Sequence, residues 1–346
     1  MAIMKILQKI SSPKELALSI STNHFMIVAV AVLAILYFVS KRKVAIYLLD
    51  FACYQPPDSC RLPKSMFVEH IFLDNSFDSD CVAFKTKIME KSGFSEETSI
   101  PPSQSYLPIR KSISFDFEEA TTVIFSTVTE LLKKNKINPK TIDILISNSS
   151  LFCPTPSLSA MVVNKFKMRS NIMSFNLSGM GCSAGVLSVA LAQDLLRVHR
   201  NSLALIVSTE ILHPNWYTGK NRSMLLTNCL FRMGGAAILM SSRDQDNKAA
   251  KYELKHLVRT NKAQNQNSYA CVFQDVDSEN NVGVCISKDI INVAGDALKA
   301  NIATLGPLVL PFSEQFRYGL SPGIANPWRE IIHSYPVDVP DVVKLD

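Results

Sequence analysis

Two strand-length runs dominated by aliphatic residues, Ile142–Ser147 (IDILIS) and Ser202–Ile211 (SLALIVSTEI), constrain this chain more than any other feature. A strand with one wetted face alternates apolar and polar residues, whereas runs this continuously apolar must be covered on both faces. The covers are written between and around them. Phe117–Asn135 repeats apolar residues at Ala120, Val123, Ile124, Val128, Leu131 and Leu132 and closes on Lys133, Lys134 and Asn135, a helix with its stop signals. Ser157–Phe166, behind Pro154 and Pro156, and Ala184–Val198 read as two more helices, with Ile172–Asn176 as a short strand between them. Strands alternating with helices predict the α/β class, with a mostly parallel sheet between helical layers.

Elsewhere the texture is less regular. Val44–Pro63 reads as a short strand followed by a loop with Pro and Cys, and Ser92–Lys111, rich in Ser and Pro, as a surface excursion. Ala236–Ser241 adds a strand; beyond about Asp244 the pattern shifts, and Lys251–Thr260 and Cys271–Ser287 read as further strands. The 346 residues, 47% hydrophobic and 19% charged, exclude a disordered or low-complexity polymer and require a large core. Net charge +6 is spread along the chain without a basic stripe, which excludes a nucleic-acid binder and suits anionic ligands or a membrane surface. No two of the eight cysteines are spaced as C-x-x-C or flanked by metal-spaced histidines, so they are expected as reduced thiols with no metal site. Neither a Rossmann nor a Walker glycine loop is present, and no cofactor is expected.

The N-terminus reads as an anchor. Ser12-Pro13-Lys14-Glu15 has the form of a capping box, and an uncharged stretch from Leu16 to Ser40, with its strictly apolar part at Phe25–Val39, ends on Lys41-Arg42-Lys43. Extended back to Leu16, it reaches the roughly 20 residues a transmembrane helix needs. The basic triplet favours a cytosolic position for the body of the chain. The sequons at Asn148, Asn176 and Asn221 offer a test, because a lumenal body would be glycosylated.

The chemistry concentrates in Phe175–Gly185 (FNLSGMGCSAG), set between a short strand and an amphipathic helix. Gly179 and Gly181 permit a tight strand-to-helix turn and a bare backbone approach to a ligand. Cys182 is placed at the first turn of the following helix, where unpaired amides and the positive dipole end stabilise a thiolate. Two other readings stand beside this one. Cys182 can be a small core residue, or Gly181-Cys-Ser183-Ala-Gly185 can be the G-x-S-x-G elbow of a serine hydrolase with Ser183 as nucleophile. Spacing alone does not separate them.

A series of separated motifs resembles the plant 3-ketoacyl-CoA synthases, the condensing enzymes of very-long-chain fatty acid elongation. It comprises Val44–Asp58, Asn176–Gly185, Ser208-Thr-Glu-Ile211, Pro214-Asn-Trp-Tyr217, Asn221–Leu226, Asn228–Ala237 and Gly306–Gln315. The resemblance implies a thiolase-like (ketosynthase) fold on an N-terminal transmembrane helix. The corresponding divisions are an anchor over 1–43, a nucleophile-bearing half over 44–243, the start of a second half over 244–315 and a divergent tail over 316–346. It also implies that Cys182 accepts the acyl group of a long-chain acyl-CoA, with Gly179 and Gly181 shaping the turn and its oxyanion backbone. Malonyl-CoA supplies the attacking carbon, on the cytosolic face of the endoplasmic reticulum membrane, with membrane lipid, other elongase subunits and a second copy of the chain as expected partners.

Two departures qualify that expectation. Where the family ends a His-Leu-Val-Arg-Thr-His strand, His256-Leu-Val-Arg-Thr260 is followed by Asn261, which can donate a hydrogen bond but cannot exchange protons near pH 7. Strand alternation would put His256 on the opposite face from Asn261. After Gln315 the likeness ends before the family's second catalytic His and its Asn, so the second half is expected to be incomplete and the activity impaired. The alternative to a condensing enzyme is a non-catalytic, elongase-associated fragment that retains acyl binding.

Overall fold

The computed structural model describes residues 44–109 and 111–320, so the expected membrane segment, its capping box and most of the divergent tail lie outside the described residues. The described residues from Ala45 onward belong to one compact unit. Its centre is a six-stranded sheet in the order β3-β2-β4-β5-β1-β6. The strands are β1 (Tyr47–Cys53), β2 (Ile144–Asn148), β3 (Met173–Leu177), β4 (Leu203–Thr209), β5 (Gly235–Ser241) and β6 (Tyr252–Glu253).

Both aliphatic runs are indeed buried on two sides: every residue of β2 is buried, as are all of β4 except Ser208. The expectation of a mostly parallel sheet needs correction. Only β3, β2 and β4 run parallel, while β5, β1 and β6 each pair antiparallel to their neighbours. Continuous apolar sequence reports cover on both faces, not strand direction, and antiparallel β5 is buried over Leu239–Ser241 beside the parallel β4.

Side-chain parity assigns the covers. Leu145, Leu203, Leu205, Val207, Ala237 and Leu239 point toward α3 (Ile113–Lys134) and α4 (Leu158–Phe166), and all share one core with Ala120, Ile124, Val128, Leu131, Leu158 and Val162. The α3 residues in that set recur at three- and four-residue spacing, so they form one stripe. The opposite face, carrying Asn148 and Ser208, receives α5 (Ala184–Val198), which packs on β2 and β4. Among the described residues Gly181–Val198 is also the one stretch long and apolar enough to cross a bilayer, but here it is this sheet-packed helix. At the edge, buried Asp50 of β1 binds Lys134 at 2.9 Å and Lys251 at 3.0 Å. Burial opposes its charge, but those two cations and Asn135 outweigh burial and hold its carboxyl well below the usual range.

A second core joins α1 (Lys64–Leu73), α2 (Ser79–Lys91) and α6 (Arg222–Leu230) around Phe67, Ile71, Phe84, Ile88, Trp216, Tyr217 and Leu225. The stretch Ser92–Lys111 is no simple surface excursion. Ile100 enters this core beside Leu62, Ser103 and Gln104 are buried, and the backbone pairs Leu62 with Thr98.

The strand expected over Lys251–Thr260 shrinks to Tyr252–Glu253, opposite Tyr47 and Leu48. The ladder ends where β1 begins: the Leu254 amide still donates to the Ile46 carbonyl at 2.8 Å, and the rest of Leu254–Thr260 runs without a ladder. Asn301 holds this stretch instead, donating to the Val258 carbonyl at 3.1 Å and to Thr260 Oγ1 at 2.9 Å. The Cys271–Ser287 expectation becomes an antiparallel hairpin, β7 (Val272–Val276) and β8 (Val282–Ile286), after the short helix α7 (Gln266–Ala270). Two helices close the described chain, α8 (Ile290–Val309) and α9 (Phe312–Leu320).

Candidate active site

The elbow lies at the C-terminal edge of the parallel strands, where β3 turns into α5. Its geometry depends on two glycines with positive φ, Gly179 at +69° and Gly181 at +59°. A Cβ at either would meet nothing within 4 Å, so it is backbone conformation and not crowding that selects glycine here, and the turn presents bare backbone to the surface. Gly181–Ser183 forms one 3₁₀ turn that feeds straight into α5. Cys182, in that turn, is an exposed free thiol. It is therefore not the small core residue that one reading of the sequence allowed.

Ser183 is committed differently. Its hydroxyl donates to the Met180 carbonyl at 2.7 Å and does not cap the amides of α5. A serine hydrolase needs an imidazole on that hydroxyl. Buried His213 is instead bonded to Asp116 at 2.6 Å, and exposed His256 makes no hydrogen bond to the turn.

Beneath the elbow the facing polar groups of the strands are satisfied in pairs. Asn148 Nδ2 donates to Ser188 Oγ at 2.9 Å, Ser208 Oγ donates to Asn148 Oδ1 at 2.8 Å, and Ser188 Oγ donates to the Ala184 carbonyl at 2.8 Å. On the other face of the sheet, Ser147 bonds Ser159 at 2.7 Å and donates to Asn176 Oδ1 at 2.8 Å. Gly185 completes the join, since a Cβ there would come within 3.3 Å of Ser208 Oγ. Fully paired buried polar groups of this kind fix one arrangement of helix on sheet.

Of the residues expected to act together, Gly179, Gly181 and Cys182 share the turn. The Gly179 amide donates to the Ser150 carbonyl at 3.0 Å, so its part is in the turn. Asn261 is exposed, and its Oδ1 accepts the Ala263 amide at 2.8 Å within its own loop. It lies in no strand, and neither does His256, so the alternation that set them on opposite faces does not apply. Two surface concavities, one lined by Phe125, Glu130 and Lys165 and the other by Lys262, Asn265 and Asp296, exclude the elbow.

Sequence reasoning passed over one acidic group beside the turn. Glu210, just after β4, accepts the Ser150 amide at 2.8 Å, the Leu151 amide at 3.1 Å and the Ser149 hydroxyl at 3.0 Å. The available signal was a carboxylate placed at the C-terminal end of a strand in a parallel set, the edge where such sheets carry ligands and chemistry.

A family described as FAE1/type III polyketide synthase-like protein matches residues 37–325. Probable 3-ketoacyl-CoA synthase 21 of Arabidopsis thaliana is 59% identical over 80% of this chain and 60% of its own length. 3-Ketoacyl-CoA synthase 5 of the same plant is 51% identical over 91% of this chain and 63% of its own length. For 3-ketoacyl-CoA synthase 6 the figures are 55%, 82% and 56%. The chain thus spans between 56% and 63% of the length of these relatives. Among solved structures, the type III polyketide synthase domain of Steely1 from Dictyostelium superposes with a TM-score of 0.63 at 17% identity, covering 75% of this chain and 73% of that one. Germicidin synthase from Streptomyces coelicolor gives 0.61 at 14%, covering 82% and 78%. The fold is the thiolase-like one these synthases share.

Proposed function

Because the chain belongs to the FAE1/type III polyketide synthase-like family and exposes Cys182 on a glycine-shaped elbow, we propose that it is a 3-ketoacyl-CoA synthase acting on long-chain acyl-CoA. The observation that carries the reading is the placement of Cys182, an accessible thiol in the turn that opens α5. Its thiolate attacks the acyl-CoA thioester carbonyl, and the CoA thiolate leaves, giving acyl-Cys182. Malonyl-CoA then loses CO₂, and the resulting enolate carbon attacks the acyl-Cys182 carbonyl. The Cys182 thiolate departs, and a 3-ketoacyl-CoA two carbons longer is released. Backbone amides of the elbow are suited to hold the oxyanion that develops in both attacks. This chemistry requires no metal or organic cofactor, because the thioester and the carboxylate supply the driving force.

Expressed in yeast microsomes with a long acyl-CoA and labelled malonyl-CoA, the protein should form labelled 3-ketoacyl product, and Cys182→Ala should abolish it. A folded wild-type chain that forms no product overturns the reading. The position of Asn261 supports a second one, in which Cys182 binds or accepts an acyl group without condensation. That reading predicts acylation of Cys182 with no labelled product, together with co-purification with elongase components.

We propose further that the body lies on the cytosolic face of the endoplasmic reticulum membrane, the side favoured by the basic triplet Lys41-Arg42-Lys43. Its sequons differ in access: Asn148 is buried, whereas Asn221 is exposed at the start of α6. Asn221 should therefore remain unglycosylated in microsomes, and a glycan there would put the body in the lumen.

A further inference from the structure

Cys182 sits in a single 3₁₀ turn reached through two positive-φ glycines, so contacts from outside the turn must fix the backbone around it. The contacts lead away from the turn to one carboxylate. Ser150 meets both elbow glycines: its carbonyl accepts the Gly179 amide at 3.0 Å, and its hydroxyl donates to the Gly181 carbonyl at 3.0 Å. Ser150 belongs to the loop leaving β2, and that loop is gathered by Glu210 from the end of β4 through the Ser150 and Leu151 amides and the Ser149 hydroxyl. Among the described residues no Lys or Arg forms an ion pair with Glu210. A half-buried carboxylate held by amides and a hydroxyl orients backbone; it does not neutralise a partner charge.

Glu210 is itself anchored from the core. The carboxylate of buried Glu119 accepts the Leu212 and His213 amides, each at 2.9 Å, and Asn215 Nδ2 donates to the Ile211 carbonyl at 2.6 Å. The backbone on the C-terminal side of Glu210 is therefore fixed by α3, and its N-terminal side by the β4 ladder.

We propose that Glu210 is the positioning residue of the Cys182 elbow, clamping the Ser149–Leu151 loop so that Ser150 holds Gly179 and Gly181 in the geometry that presents the thiol. The proposal rests on the reading of Cys182 as the acyl acceptor and adds the group that aims it. Misplacement of a reacting atom by about 1 Å can cost about 100-fold in rate, which sets the scale expected when the clamp is loosened.

The test uses the full chain in its membrane preparation, with Glu210→Gln and Ser150→Ala. Glu210→Gln keeps the shape but turns an NH₂ toward groups that donate; Ser150→Ala removes the hydroxyl bond to Gly181 alone. Two quantities are read: the rate of Cys182 alkylation by iodoacetamide, resolved by peptide mass spectrometry, and the kcat and KM for ketoacyl product. Glu210→Gln should slow alkylation at least about tenfold and lower kcat about 100-fold with KM for acyl-CoA within about twofold; Ser150→Ala should lower both rates about threefold to tenfold. If Glu210→Gln fails to fold, Ser150→Ala carries the same test. Unchanged alkylation and kcat in a folded variant overturn the proposal, as does a loss of melting temperature with unaltered Cys182 reactivity in the folded fraction. The two readings fail separately. Alkylation that depends on Glu210 in a protein that forms no product leaves the clamp standing and removes the synthase, whereas product formation indifferent to both substitutions does the reverse.

Discussion

Helices α3 and α8 are similar in length, 22 and 20 residues, and both carry an apolar stripe, yet their surroundings are opposite. In α3 nine residues are buried, among them Val123, Ile124, Val128 and Leu131, because β1, β4 and β5 lie against its stripe. In α8 only Gly306 is buried, and Leu298, Leu308 and Val309 are each half exposed. The outer strand of the hairpin behaves like α8, since every residue of β7 is exposed, whereas β8 packs on α6. An apolar stripe therefore specifies which face of a helix seeks cover, while the sheet decides whether cover is supplied. The same division separates the site residues, with Cys182 supported by paired polar groups on the sheet and Asn261 supported only by its own loop.

The sharpest way to break that comparison is at the site. Cys182→Ala should lower ketoacyl formation by at least about 1,000-fold, because Ser183, the other hydroxyl or thiol in the turn, gives its proton to the Met180 carbonyl and has no imidazole to activate it. Asn261→Ala should cost less than about tenfold, since losing a donor to a developing oxyanion costs about 100- to 1,000-fold and Asn261 shows no such aim. A loss of 100-fold or more in Asn261→Ala, measured with the same microsomal assay, would join Asn261 to the elbow and end the division.

Stability gives the next largest contrast. Leu131 is fully buried in α3, and Leu131→Ala should cost about 3 kcal/mol through lost transfer energy and the cavity left behind. Leu298 is 52% exposed in α8, and Leu298→Ala should change stability by less than about 0.5 kcal/mol, with the better helix propensity of Ala offsetting the lost contact. Urea unfolding of the two variants, followed by protection of buried Cys229 from alkylation, measures both. Equal losses would mean that α8 is covered in solution.

The same physics explains what the sequence disclosed. β2, β4, α3, α4 and α5 were legible because two-sided burial writes continuous apolar strands and three- and four-residue helical spacing. The elbow was legible because Gly179 and Gly181 flank Cys182 at a strand-to-helix junction, and positive φ has few other residues to choose from. Strand direction was not legible in β5, since cover on both faces looks alike in either orientation. The extent of β6 was not legible either, because it depends on where its antiparallel partner β1 begins, at Tyr47, far from it in sequence. Glu210 escaped notice because two of its three partners are backbone amides, which leave no mark on residue type, so that its place at the end of β4 was the one signal available.

Glu119 gives a smaller, pH-dependent contrast within the covered region. Burial pushes its carboxyl up to about 7, the Leu212 and His213 amides pull it back, and the neighbouring charges of Asp116 and Glu210 add to the rise. A carboxyl raised in the folded state binds its proton more tightly there than when unfolded. Its contribution to stability is thus full below its ordinary value near 4.5 and is lost as pH rises through about 7. Between pH 5 and pH 8 the wild type should lose about 2 kcal/mol relative to Glu119→Gln, which carries no charge to bury. Parallel melting curves of the two proteins across that range would remove Glu119 as the cause. Because Glu119 anchors the turn that carries Glu210, the alkylation rate of Cys182 provides a second reading in the same samples.

The smallest effect is expected where the two kinds of region meet. Arg259, in the stretch without a ladder, reaches Asp194 on α5 at 3.4 Å, with the two side chains 59% and 49% exposed. Such a pair gains little Coulomb energy in water, costs side-chain entropy and is screened by salt, so Arg259→Ala should change stability by no more than about 0.5 kcal/mol. The double-mutant cycle with Asp194→Ala, run at low and high salt, separates the pair from the positions. A coupling above about 1 kcal/mol that survives high salt would mean that this stretch is seated on α5 as firmly as α3 is seated on the sheet. In that case the contrast between α3 and α8 would have to be drawn after Thr260 instead of before Tyr252.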